Sequence, residues 1–484
     1  MGRRADAGLI GRPIGVVGAM AISASGHGNE PLVRRLARSA LAVEFADFDA
    51  DVVAKAKLCL IDFLSCAFEA GDHPWSRQAI AAAYPANNGA TIIGTSRLAS
   101  PADAAFANAV MGHGLVREDM HAASISHHGV VIWPALLALS ERAPLRGTTL
   151  LAAAIIGYET GARIGRALFN SDLARLYRPT GLVAPLGAAL AGSFALGLSE
   201  QAATSAVAIA ANTSSGLNEW PRVGGSEMYF HPGFAACNAL KAIALAEAGA
   251  LASETILEGE AGLFAAFRRQ PAPSDIRLFA GPEPEITAVY NKPAPACNFA
   301  QTASQAALRV SHELAETESV ERIVIRAPDA AVRYPGCDAK GPYRNALQAK
   351  MSIPFSVAAT LVRGEIDEEN YASLDDPEIL RLVAATDLQS EAAFTAAFPA
   401  KQGADVTVHL RGGKTIRHSL SDVVAATPAI IRSRFRAAAA RAIGEDRARR
   451  LEETIDGCER LGDAGVIAAS CRLAPPETIL RTAS

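Results

Sequence analysis

Titratable side chains crowd one short stretch of this chain. Between Ala105 and Glu141 stand Asn108, His113, Glu118, Asp119, His121, His127 and His128, and four of the ten histidines fall between His113 and His128. Histidine gives or takes a proton near neutral pH, and a neighbouring carboxylate orients its ring and raises its pKa. Acid–base chemistry is the first reading of this cluster. The same side chains are metal ligands, but no HExxH or His-x-His spacing occurs here. A third reading makes them polar loop and cap residues.

Three more motifs carry chemical content. In YRPTG, Arg178 precedes Pro179, and Thr180–Gly181 open a predicted helix. A helix start offers free N–H groups to an anion, and an arginine adds a fork for a carboxylate. In SEMYFHPGF, His231 is predicted at another helix start, with Tyr229 as a proton donor beside it. In VYNKPAPAC, Lys292 sits between a predicted strand and two prolines, and Cys297 opens the next helix. A lysine there can bind a carboxylate, or act as a base if desolvated. A helix start would lower the pKa of the Cys297 thiol.

The elements that must hold these groups are mainly helical. From Glu30 to about Gly262 apolar residues recur at spacings of three and four, as in DADVVAKAKLCLIDFLSCAF and GTTLLAAAIIGYETGARIGRAL. Near Pro271 the character changes. ITAVYN (286–291), RIVIRA (322–327) and ADVTVHL (404–410) read as strands, the last continuing into a hairpin through Gly412–Gly413. After about Thr427 helix returns, with arginine-rich faces that read as solvated surface. The expected division is 1–29 as a disordered extension and 30–270 as an all-helical domain. An α/β lid follows over 271–426, then C-terminal helices over 427–484.

The 484 residues are half hydrophobic and 20% charged, with a net charge of -4. That supplies a large core and no basic footprint for nucleic acid. The seven cysteines are odd in number and lack any CxxC pair, which fits a reducing, cytoplasmic setting rather than a disulfide framework or zinc site. Residues 3–26 loosely resemble a signal peptide, but Arg12 and Pro13 interrupt the apolar run. Gly181–Leu198 is apolar over about a membrane's thickness, yet Pro185 and its glycines point to a buried helix and no membrane partner.

In this order the motifs resemble the MmgE/PrpD family, which includes 2-methylcitrate dehydratases, cis-aconitate decarboxylases and iminodisuccinate epimerases. The markers are Asn108…His113 with Glu118–Asp119, His127–His128–Gly129, GYETGARIG (157–165), RPTG (178–181), FHPGFAACNAL (230–240), KPAPAC (292–297) and AKMSIPFSVA (349–358). The resemblance implies a large all-helical domain, a smaller α/β lid with the active site between them, a homodimer and no organic cofactor. It also implies roles. His127 is the general acid or base, and Asp119 its orienter or a second proton carrier. His231 or Tyr229 serves the opposite face. Lys292 and Arg178 bind carboxylates, and His113, Glu118 and Cys297 complete the substrate-facing set, with no metal.

Four positions depart from the family pattern. Val116 stands where relatives usually have an acid, and Arg178 where they often have a histidine. Met228 and Cys297 replace a lysine and a second histidine of the decarboxylase type. These changes point away from cis-aconitate decarboxylation. The expected activity is proton abstraction α to a carboxylate of a small di- or tricarboxylate, with dehydration of the 2-methylcitrate type. The alternatives are an epimerase of the iminodisuccinate type and a non-catalytic carboxylate-binding protein on the same scaffold.

Overall fold

The computed structural model describes residues 30–473; the expectation for 1–29 lies outside them. The fold is mainly α, with a few small sheets. The first part is a bundle: α1 (Leu32–Leu41), α2 (Ala50–Glu69), α3 (Pro74–Ala82), α4 (Pro101–His113), α5 (Gly129–Arg142), α6 (Gly147–Leu168), α7 (Ser171–Leu176), α8 (Pro179–Ala195), α9 (Glu200–Asn212), α10 (Trp220–Val223), α11 (Glu227–Glu247) and α12 (Leu263–Arg268). α8 is its axis, packed on α6, α11, α9 and α5. It is buried almost end to end, which explains the membrane-like run Gly181–Leu198. No helix among the described residues is long and apolar enough to cross a membrane. Small residues permit the close crossing: a Cβ on Gly187 of α8 would collide with the Gly157 carbonyl oxygen of α6.

Two local starts position the site. α4 begins on Ser100, whose hydroxyl accepts the Asp103 N–H at 3.2 Å, with Pro101 in the first turn. α5 begins at Gly129, not near Trp133–Pro134 where the proline alone places a helix start, because the Asp119 carboxylate accepts the Gly129 N–H at 3.3 Å. α11 also begins earlier than expected. Its first residue is Glu227, so Pro232 lies inside the helix and His231 is not at its start.

The second part holds a four-stranded sheet of order β6-β5-β7-β8, formed by β5 (Val320–Ala327), β6 (Thr386–Ser390), β7 (Ala404–Leu410) and β8 (Thr415–Leu420). β5 pairs parallel with β6 and antiparallel with β7, and β7–β8 is the expected Gly412–Gly413 hairpin. The polar run TDLQS of β6 gave no strand signal. ITAVYN is a correction: Glu285–Ala288 is a 3-10 turn, leaving only β4 (Val289–Tyr290). That short strand pairs outside the sheet, with β3 (Met120–His121), and so ties the histidine loop to the segment leading to Lys292. β1 (Pro85–Thr91) and β2 (Leu98–Ala99) form a separate ribbon.

α13 (Gln301–Ser311) packs on β7 and β8, α14 (Asp329–Arg333) and α16 (Ile353–Arg363) meet β6, and α17 (Pro377–Ala384) meets β5; α15 (Ala346–Met351) contacts α16, and α18 (Ala392–Ala397) contacts α14. The described residues end in α19 (Pro428–Ile443), α20 (Glu445–Asp456) and α21 (Gly465–Ser470), with α19 lying along α2. Its arginines are not all solvated: Arg434 donates to the carbonyls of Lys292, at 3.1 Å, and Pro293, at 2.6 Å.

Candidate active site

The site is built on the turn that follows α4. His113 is the last residue of that helix. The chain then reverses through Val116, whose φ of 58° is a left-handed conformation that β-branched residues rarely adopt. A second such residue, Ile125 (φ 54°), shapes the loop before His127. Both line one narrow cavity of about 40 Å³, together with Arg178, Met228, Cys297 and Tyr334. Left-handed backbone in bulky residues clusters where surrounding structure over-determines it, commonly at functional sites.

The reversal turns Glu118 inward. Its Oε1 lies 2.6 Å from His113 Nδ1 and 3.1 Å from His127 Nδ1, and the carboxylate is buried. Burial alone would raise its pKa, but His113, Lys292 and His127 outweigh burial and hold it well below the ordinary 4.5. Glu118 is therefore an anion shared by two imidazoles. His113 uses its other nitrogen to accept from Arg178 Nη2 at 2.8 Å; Met228 Sδ lies at 2.7 Å from the same atom. Its tautomer is thus Nδ1–H. Burial lowers the pKa of His113 and, further, that of His127, in each case against Glu118. His127 is neutral at pH 7, with Nδ1 also within 2.9 Å of the Asp119 carbonyl. Among the described residues its Nε2 makes no hydrogen bond. A neutral imidazole with one nitrogen anchored and the other free is the geometry of a general base.

Asp119 meets His127 through its backbone. Its carboxyl instead accepts from Tyr158 Oη and the Gly129 N–H, and burial pushes it up to about 7 despite Tyr158. Tyr158 was inside the GYETG motif without a role being legible. His121 and His128 are occupied elsewhere: His121 bonds Glu285 at 2.9 Å and Ser124 at 2.8 Å, and His128 bonds Ser124 at 3.0 Å.

Arg178 caps α8 and lies 5.3 Å from the Trp220 ring centroid. Its Nε is buried without a partner among the described residues, as are Glu118 Oε2, Tyr229 Oη and His231 Nδ1. Tyr229 stacks on Trp75 at 3.9 Å, and burial, with Glu368 and Glu118, holds its hydroxyl far above 10. His231 is lowered to about 3 by burial and by Arg178. Lys292 is fully buried, and its ammonium donates to the carbonyls of Val116 at 2.6 Å and Ala296 at 3.3 Å. Cys297 faces the cavity, its Sγ 3.8 Å from Cys337 Sγ, a contact that lowers its pKa against burial. No three His, Cys, Asp or Glu side chains among the described residues group as a metal site would require. Sequence reading missed two buried cations, Arg117 in the turn itself and Lys350, because a lysine in AKMSIPF looks like any solvated helix residue. Lys350 is fully buried and paired with Glu368 at 2.7 Å.

The buried His113–Glu118–His127 cluster, with the buried Lys292 and Lys350 beside its turn, gathers the groups that acid–base chemistry uses. The chain belongs to the MmgE/PrpD family: its residues 34–275 match the MmgE/PrpD N-terminal domain and 294–460 the C-terminal domain. It is 25% identical to the cis-aconitate decarboxylase-like protein oryM of Aspergillus oryzae, over 88% of this chain and 94% of that one. It is 32% identical to the cis-aconitate decarboxylase of Aspergillus terreus, over 45% of this chain and 46% of that one, less than half of either. The cis-aconitate decarboxylase of Mus musculus is 26% identical, over 79% of this chain and 81% of that one.

Proposed function

We propose that this enzyme is a cofactor-independent lyase for a small di- or tricarboxylate, acting by proton abstraction α to a carboxylate and loss of a β-hydroxyl as water. One observation carries the reading: His127 is anchored through Nδ1 to Glu118 and the Asp119 carbonyl, leaving Nε2 free to take a proton. Glu118 stabilises the imidazolium that forms. Arg178, beside the cavity and bonded to His113, neutralises a substrate carboxylate and the charge that develops on it. Lys292 has one proton left after its two carbonyl bonds and adds to that field. Tyr229, whose hydroxyl stays protonated, is the proton donor to the leaving group.

Decarboxylation is the second reading, favoured by the names of the relatives. Met228 and Cys297, where the decarboxylase type has lysine and histidine, count against it. The relatives are all named as enzymes, which leaves no support for a mere carboxylate binder. The proposed assembly is a homodimer in the cytoplasm.

The test is a panel of 2-methylcitrate, cis-aconitate, iminodisuccinate and related acids, followed by proton NMR in deuterated water. Loss of water supports the proposal, whereas release of carbon dioxide or inversion without elimination replaces it. His127→Ala should lose at least about a hundredfold in rate. Turnover near wild type in that variant would remove His127 from the mechanism.

A further inference from the structure

Two buried lysines of the α/β part end on consecutive carbonyls of the catalytic turn. Lys292 Nζ donates to Val116 O at 2.6 Å, and Lys350 Nζ donates to Leu115 O at 3.0 Å. These are the carbonyls of the two peptide units that flank the Val116 Cα. Their relative rotation is the φ, ψ pair of Val116, the residue held at φ 58°. A left-handed conformation is unfavourable for an L-residue, most of all for a β-branched one. Something must hold it, and the two ammonium groups grip the planes on either side.

Lys350 has more connections than charge balance alone requires. Glu368 meets its ammonium with both oxygens, at 2.7 and 2.8 Å, and the Tyr371 ring lies 5.6 Å away. That pair would satisfy a buried lysine's charge. Its remaining bond goes to a carbonyl two residues beyond His113 and three before Glu118. The Lys350 backbone carbonyl also accepts the Cys297 N–H at 2.8 Å. One residue therefore touches the catalytic turn and the cavity-lining cysteine loop together.

We propose that Lys350 is a positioning residue for the reaction: by fixing the Leu115 carbonyl it sets the direction in which the turn delivers Glu118 to His113 and His127. The inference rests on the acid–base reading above. It places no contact between Lys350 and substrate, and it makes docking of the α/β part a condition for assembling the relay.

The test is Lys350→Met combined with Glu368→Gln, which removes the bond to Leu115 without leaving a buried charge alone. Hydrogen exchange of the peptide covering 113–119, read by mass spectrometry without substrate, should accelerate at least about tenfold, with α8 unchanged. With the acid of the panel that turns over best, kcat should fall at least about tenfold while KM stays within about threefold. The acid limb of the pH profile should shift too, because the charge beside His127 has moved. Wild-type exchange at 113–119 or wild-type kcat in the folded variant overturns the proposal. If the pair of changes prevents folding, Lys350→Gln alone is measured. Burial has already raised the Glu368 pKa, so that carboxyl can take up a proton when its partner is lost. The same outcomes decide it. His127→Ala is run alongside. If it stays active, the acid–base reading fails; if it is inactive while both lysine variants behave as wild type, only the role of Lys350 fails.

Discussion

Glu118→Gln strikes the centre of the relay with little change of shape. The amide can still accept from one imidazole, but the charge is gone. In the wild type that charge lies 3.1 Å from His127 Nδ1, in a buried setting. Two unit charges about 4 Å apart interact by about 4 kcal/mol at an effective dielectric near 20. If His127 is fully protonated in the transition state, losing that term slows the reaction about a thousandfold; if half protonated, about thirtyfold. The slowing should appear in kcat, because Glu118 Oε1 is committed to the two imidazoles and acts through His127. Removing the anion also removes what raises the pKa of His127 against burial, so the acid limb should move to lower pH. The stability effect has its own sign. A carboxyl whose folded pKa is below 4.5 contributes fully above that value and loses its contribution only as pH falls through the folded pKa. The stability difference between wild type and variant, about 1–3 kcal/mol for the imperfectly replaced bonds, should be flat above pH 5 and close only in strong acid. The assay is product formation by NMR across pH 5–9, with denaturant unfolding alongside. A kcat within about threefold of wild type and an unmoved acid limb would refute the shared-anion reasoning.

Two further outcomes follow from the same geometry. His121→Gln should keep kcat within about threefold while losing about 1–3 kcal/mol of stability, since His121 serves Glu285 and Ser124 rather than the relay; a hundredfold loss of rate in a folded variant would put His121 back into the chemistry. Gly187→Ala should cost about 1–3 kcal/mol or more, because the new methyl meets the α6 backbone, which cannot rotate away; an unchanged melting temperature would show that α6 and α8 separate more easily than their packing implies.

Much of the scaffold was legible because helical periodicity is local. α2 and α6 sit where apolar spacing placed them, α8 is the buried helix expected of Gly181–Leu198, and the β7–β8 hairpin follows its two glycines. Errors arose where tertiary contacts override local rules. Pro134 and Pro232 were read as helix openers, yet each lies in the second turn of a helix that starts earlier. β6 has no apolar alternation because its pairing with β5, not its side chains, defines it. At the site, the His113–His128 stretch announced itself by composition. Which acid faces the rings did not, because that depends on a backbone reversal at Val116 that no propensity would place at a valine. Lys292 was legible as a candidate and Lys350 was not, but neither lysine's bond to the turn could be read. Those carbonyl oxygens lie 176 and 235 positions away, and residue type carries no trace of a carbonyl.

The turn from His113 to Asp119 behaves like a masonry arch. Arg117 is held by Glu69 of α2, Asp119 by Tyr158 of α6, Leu115 and Val116 by lysines from the α/β part, and His113 by Arg178 at the head of α8. No single element supports it, and loosening any of them unsettles the rest. Two side chains at the cavity wall, unlike Arg178 and Val116, stand outside this frame. Met228 and Cys297 reach in from other segments and hold none of the turn's backbone. A lineage could therefore change what the cavity accepts, one wall position at a time, while the groups that move protons stay in register.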